Sequence, residues 1–104
     1  MLDSNLGKIN MKYYGECACQ GKVTDKITTN PSGSGILVLD ELRPTVFLNS
    51  DKIKGLVIRN GGLLCHGAVL AREYGIPCIV KTNAPNAKEG TTAELNANEG
   101  YVKF

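Results

Sequence analysis

Two short apolar runs, Leu56-Val57-Ile58 and Cys78-Ile79-Val80, enclose a stretch that opens with Gly61-Gly62 and closes with Gly75-Ile76-Pro77. Continuous apolar runs of this length with β-branched members are expected of strands covered on both faces. Between them, the segment from about His66 to Tyr74 reads as a helix: Gly75 fits a left-handed C-terminal cap and Pro77 prevents continuation. Strand, helix and strand within this distance form a parallel crossover unit, right-handed in almost all cases. The helix therefore covers one face of a sheet, and the fold class is α/β.

His66 is the only histidine in the chain, and this layout puts it at the N-terminus of that helix. The first turn of a helix leaves backbone N–H groups unpaired and carries a partial positive charge, which together favour a bound anion. A neutral imidazole is a nucleophile that can hold a phosphoryl group, and its ordinary pKa of about 6.5 leaves it mostly unprotonated at neutral pH. A histidine here can be phosphorylated and have its phosphate cradled. Spacing alone leaves open a plainer reading, in which His66 is a polar residue that happens to begin a helix.

Gly61-Gly62, Cys65-His66, Ala68, Ala71-Arg72-Glu73 and Gly75-Ile76-Pro77 resemble the phosphohistidine signature of the PEP-utilising enzymes, the family of PEP synthase, pyruvate phosphate dikinase and enzyme I of the bacterial sugar phosphotransferase system. The resemblance continues more weakly from about Gly15 to the C-terminus, through Gly21, Gly35-Ile36-Leu37-Val38, Gly90 and Gly100. It implies a three-layer β/β/α swivelling domain whose histidine accepts a phosphoryl group at one active site and delivers it at another. By that resemblance His66 is nucleophile and leaving group, phosphorylated on the ring nitrogen distal to the backbone. Gly61, Gly62, Cys65, Gly67 and Ala68 are phosphate-proximal or supporting.

Each supporting residue also has a structural reading. Gly61 and Gly62 are expected to form a loop needing positive φ, and their missing side chains let a partner active site approach His66. A helix N-terminus lowers a thiol's pKa, so Cys65 could be a nucleophile; PEP synthase-like sequences also have cysteine beside the histidine, where it looks like a packing or hydrogen-bonding neighbour. Arg72 and Glu73 fall near the helix end, where a cation suits the dipole and Arg72 ties helix to sheet, nearly two turns from His66. The chain departs from the family at Leu64, where many members have threonine, and at Gly67, which replaces a usual alanine and loosens the first turn by up to about 1 kcal/mol.

The chain has no Gly-x-x-x-x-Gly-Lys-Ser/Thr loop and no carboxylate cluster to hold Mg²⁺ with a nucleotide or PEP. It is expected to bind no cofactor or metal of its own and to be no complete enzyme by itself. Its partners would be nucleotide-binding and PEP/pyruvate-type domains or subunits of a phosphotransferase, with Mg²⁺ in the partner active site. The alternative is a non-catalytic regulatory or interaction module that retains the fold, similar to the family-like extension of some pyruvate kinases. Such extensions tend to lack the histidine that this chain keeps.

At 104 residues the chain is expected to form one domain, with residues 1–11 a poorly ordered leader. Its twelve Lys and Arg against ten Asp and Glu are scattered, and Lys52, Lys54 and Arg59 read as a solvated face rather than a nucleic-acid patch. No apolar run approaches the roughly 20 residues of a membrane span, and the N-terminus lacks a signal-peptide layout. A cytoplasmic protein with free thiols at Cys17, Cys19, Cys65 and Cys78 is expected. Cys-x-Cys and adjacent Cys-His are poor spacings for a tetrahedral zinc site.

In the rest of the chain, Lys12 to Thr29 is strand-like with interruptions at Gly15 and Gly21, and Asn30 to Gly35 is a turn. Ile36 to Leu39 reads as a central strand, with one short helical turn expected between Thr45 and Ser50. Thr82 to Gly90 is loop. Thr91 to Leu95 and Gly100 to Phe104 are two more strands around an Asn96 to Glu99 turn.

Overall fold

The computed structural model describes residues 11–44 and 48–104. In chain order these form β1 (Lys12–Tyr14), β2 (Glu16–Cys19), β3 (Lys22–Thr28), β4 (Gly35–Leu39), β5 (Ile53–Ile58), α1 (His66–Tyr74), β6 (Cys78–Val80), β7 (Thr92–Asn96) and β8 (Tyr101–Lys103). The strands make one mixed sheet in the order β1-β8-β7-β3-β4-β5-β6-β2. Its centre, β3 through β6, is parallel, and the outer pairings are antiparallel. This is an α/β domain, with one helix among the described residues.

The expected strands are present, and Gly15 and Gly21 divide the region after Met11 as the sequence suggests. β5 starts earlier than its apolar run, at Ile53, because Ile53 and buried Gly55 pair with β4 on either side of a register shift that leaves exposed Lys54 unpaired, which does not lengthen the hydrophobic pattern. The expected leader lies outside the described residues except for Met11, which exchanges two backbone hydrogen bonds with Phe104 at 3.3 Å each. Thr45, Val46 and Phe47 of the expected helical turn also lie outside them.

Alternation along the central strands sorts their side chains into two cores. Leu37, Leu56, Ile58, Cys78 and Val80 pack with Ala68 and Ala71 of α1, whereas Ile36, Val38, Val57 and Ile79 pack with Ala93, Leu95 and Val102 of β7 and β8. Successive residues thus point to opposite sides, and both sides are covered; this is the physical reason the runs Ile36 to Leu39, Leu56 to Ile58 and Cys78 to Val80 are apolar at every position. Each fully buried Leu, Ile or Val contributes about 1.5–3 kcal/mol relative to exposure, so neither parity tolerates a polar residue.

β1 and β2 stand at opposite ends of the strand order, yet only Gly15 separates them in the chain. One residue spans at most about 3.6 Å, so the two ends of the order must approach each other there and the sheet curls back on itself. Gly15 sits in that seam: its N–H donates to Gly100 O at 2.9 Å, and a Cβ on it would lie 2.5 Å from Val80 O. The core of Ile36, Val57 and Leu95 fills the inside of the curl, and α1 packs outside it, next to β2, β5 and β6.

The crossover that positions the site follows the expected chemistry. Gly75 caps α1 in the left-handed region at φ 68° and ψ 33°, and its N–H donates to Ala71 O. Leu56 N–H then donates to Pro77 O at 2.9 Å, setting β6 parallel to β5.

Candidate functional site

The loop from β5 to α1 carries the candidate residues. Past Ile58, Arg59 and Asn60 N–H donate to Leu39 O (2.9 Å) and Asp40 O (2.8 Å), and the chain turns at Gly61-Gly62 until Cys65 N–H donates back to Gly62 O at 3.0 Å. Cys65 is the N-cap in an extended conformation, φ −68° and ψ 162°, and its side chain makes no capping hydrogen bond. Val69 N–H donates to Cys65 O at 3.1 Å. The N–H groups of His66, Gly67 and Ala68 before it have no acceptor among the described residues, and the first turn holds no acidic residue. The positive end of the helix is thus unneutralised and faces outward beside the histidine, an arrangement that favours an anion.

His66 is the first residue of α1 and is half-buried. Among the described residues its ring has no hydrogen-bond partner. Leu63 (43% exposed), Leu64 (89% exposed) and Val69 (38% exposed) lie close to it in sequence and are exposed apolar side chains.

The glycines act through space rather than through unusual dihedral angles. Neither Gly61 nor Gly62 has a positive φ, which corrects the expected reason for their presence. A Cβ on Gly61 would lie 2.6 Å from Cys65 Sγ and 2.8 Å from Ile58 Cγ2, so the turn can fold under Cys65 only without a side chain there. A Cβ on Gly62 would make only an ordinary contact, 3.8 Å from Lys81 Cε. Gly67 is buried against Ile58, whose Cγ1 and Cδ1 would both lie 3.2 Å from a Cβ. The missing methyl lets α1 sit close on β5, which offsets the propensity lost at that position.

Ala68 is fully buried, so its methyl belongs to the core and only its backbone N–H reaches the site. Cys65 packs against the same cluster as buried Cys78, and Cys19 joins them from β2, where it stands opposite Cys78 in the ladder. Burial, with the neighbouring thiols adding to it, pushes the Cys78 thiol up to about 12. All four cysteines are free, and among the described residues no group of three His, Cys, Asp or Glu side chains is arranged to hold a metal.

Arg72 does tie the helix to its surroundings. Its Nη2 donates to Leu63 O at 2.8 Å in the His66 loop, and its Nη1 donates to Ala18 O at 3.3 Å on β2. Arg59 does not share a face with Lys52 and Lys54: it lies at the opposite end of β5, its Nε 2.7 Å from Asp40 Oδ1. Lys81 went unread in the sequence. It follows β6 directly, and its backbone N–H donates to Ile58 O at 3.0 Å, which brings it beside the Gly61-Gly62 turn. The available signal was positional, since the crossover places the C-terminal ends of β5 and β6 side by side and ligands of parallel sheets gather at such ends.

The family model described as "PEP-utilising enzyme, mobile domain" matches residues 31–100, which contain α1 and its loop. The chain belongs to the PEP-utilising enzyme mobile-domain family. Rifampicin phosphotransferase of Bacillus subtilis (strain 168) is 47% identical over 54 residues, which cover 50% of this chain and 6% of that protein. Multiphosphoryl transfer protein 2 of Escherichia coli (strain K12) is 45% identical over 71 residues, 64% of this chain and 8% of that protein. This mobile domain therefore spans only a small part of the length of these relatives, whose names both refer to phosphoryl transfer. Among solved structures, a chain in the crystal structure of Thermococcus kodakaraensis aconitase X (holo-form) matches with a TM-score of 0.69 over 89% of this chain and 97% of that one. At 15% identity that likeness is one of fold alone.

Proposed function

We propose that this mobile domain is a phosphohistidine carrier, which takes a phosphoryl group onto His66 Nε2 at one partner active site and passes it on at another. The observation that carries the reading is His66 as first residue of α1, inside the matched family region, with the N–H groups of the helix's first turn unpartnered among the described residues. In the forward step the Nε2 lone pair forms the N–P bond as the donor's bond to phosphorus breaks, and Nδ1 keeps the ring proton. In the reverse sense the imidazole leaves. The helix N-terminus steadies the phosphoryl oxygens in both states.

A carrier must bring one residue to two places, and this fold is suited to that. His66 follows the loop at the C-terminal end of β5, and Leu63, Leu64 and Val69, its neighbours in sequence, are exposed apolar side chains. We read the architecture as the three-layer β/β/α swivelling domain, because α1 covers one side of the central strands and β7 with β8 the other. Nucleotide-binding and PEP/pyruvate-type domains would supply donor, acceptor and Mg²⁺. Phosphoryl transfer depends on positioning and charge neutralisation by metal and cations, so the isolated chain is expected to take no phosphate from PEP or ATP.

The test supplies purified nucleotide-binding and PEP-type domains with Mg²⁺ and ATP or PEP, and follows intact mass. One added phosphate, lost in acid and kept in base, is expected on the wild type and absent from His66→Ala. Equal labelling of His66→Ala overturns the assignment.

A further inference from the structure

The parallel strands β4, β5 and β6 are each followed by a charged residue, Asp40, Arg59 and Lys81, at the same end of the sheet. The first two neutralise each other through the 2.7 Å contact between Arg59 Nε and Asp40 Oδ1. Lys81 is exposed and has no carboxylate or hydrogen-bond partner for its ammonium among the described residues. We propose that Lys81 is the cation this domain itself supplies to the phosphoryl group on His66, a role that rests on the carrier reading above.

Three observations carry the proposal. The backbone of Lys81 is pinned to the end of β5 by its N–H bond to Ile58 O at 3.0 Å. Its stem reaches the turn that leads to His66, with Cε 3.8 Å from the Cβ position of Gly62, and Gly62 O accepts the Cys65 N–H that starts the helix at 3.0 Å. Any bulky residue at position 62 would meet that stem. Third, Lys81 has φ 56°, and among the described residues it is the one non-glycine residue at positive φ. That region suits glycine and asparagine and disfavours a lysine, so the chain holds an unfavourable conformation at the position that carries the free ammonium. With no acid in the first turn of α1, the helix end and Lys81 act with the same sign on an anion at His66.

The dihedral angle also supplies a clean test. Lys81→Asn removes the charge while adopting φ 56° more readily than lysine does, so lost function could not be ascribed to a damaged fold. Lys81→Arg keeps the charge. The untagged 104-residue chain, with its single histidine, is phosphorylated with phosphoramidate, a small donor that needs no partner. The P–N bond of phosphoramidate breaks as the bond from phosphorus to Nε2 forms, ammonia leaves, and the ring retains its Nδ1 proton. Rates of labelling are followed by intact mass or phosphorus NMR at low salt and at about 1 M salt, where the screening length is about 3 Å.

Lys81→Asn should label about fivefold more slowly than wild type at low salt, the size expected of one partly exposed charge pair. The difference should vanish at high salt. Lys81→Arg should stay within about twofold of wild type, and Lys81→Asn should melt no lower than wild type. Labelling of Lys81→Asn within twofold of wild type at low salt, or an equal deficit at both salt concentrations, overturns the role of Lys81. His66→Ala must show no label, which ties the signal to that residue. Failure of the partner-dependent labelling above would overturn the carrier reading, an outcome separate from either result with phosphoramidate.

Discussion

Removing the guanidinium of Arg72 should weaken the domain at the place where helix, edge strand and His66 loop meet. Arg72 donates to Leu63 O at 2.8 Å and to Ala18 O at 3.3 Å, carbonyls that lie on two different elements. A hydrogen bond from a charged donor contributes about 1.5–3 kcal/mol when protected and less when solvent competes. The Leu63 bond is exposed and the Ala18 bond is long and only part-buried, so their joint contribution comes to about 2 kcal/mol, near the lower end of that range. For a domain of this size 1 kcal/mol corresponds to roughly 4–8 °C, and Arg72→Met, which keeps the apolar stem, should lower Tm by about 10 °C. Arg72→Lys should recover less than half of that, because one ammonium on a narrow stem cannot reach both carbonyls in the fork geometry. Thermal unfolding followed by circular dichroism reads both variants. Hydrogen exchange at Cys65, whose N–H is held by Gly62 O, should accelerate in parallel, since the loop loses its tether to the helix. A fall of less than about 2 °C in Arg72→Met, with unchanged exchange, would refute the reasoning.

Gly15→Ala should destabilise by about 2 kcal/mol, because the new methyl meets Val80 O at 2.5 Å and a backbone carbonyl in a ladder cannot rotate away; urea titration measures it, and a change below about 0.5 kcal/mol would mean that the seam opens freely. Cys78 makes stability fall with rising pH. Its thiol stays protonated in the folded state up to about 12, against an ordinary value of 9.0, so between these values the unfolded state alone gives up the proton. Its contribution is whole below pH 9 and declines by about 1.4 kcal/mol per pH unit above it. The loss of stability between pH 9 and 11 should be shallower in Cys78→Ala than in wild type, and equal slopes would show that other groups carry it.

What the sequence determined by itself is local. Gly75 and Pro77 end a helix by chemistry that acts within a few residues, and α1 runs from His66 to Tyr74 as those signals require. Likewise, Gly15 and Gly21 part the early strands, and Ile36 to Leu39 lies mid-sheet with parallel neighbours on both sides. The placement of His66 at a helix N-terminus was legible for the same reason, and so was the tie made by Arg72 in outline, though its two carbonyl partners were not.

The tertiary structure decided what depends on residues distant in sequence. Gly61 is required by the volumes of Cys65 and Ile58, which no turn preference encodes, so the sequence suggested positive φ at that glycine where the structure shows close packing. The curl of the sheet, with Gly15 joining strands at its two ends, follows from pairings of β1 with β8 and β2 with β6 that lie far apart along the chain. Periodicity records which side chains are buried but not which strand covers them. Lys81 was invisible for the same reason: only the parallel register of β5 and β6 carries a lysine at the end of one strand to the turn at the end of the other.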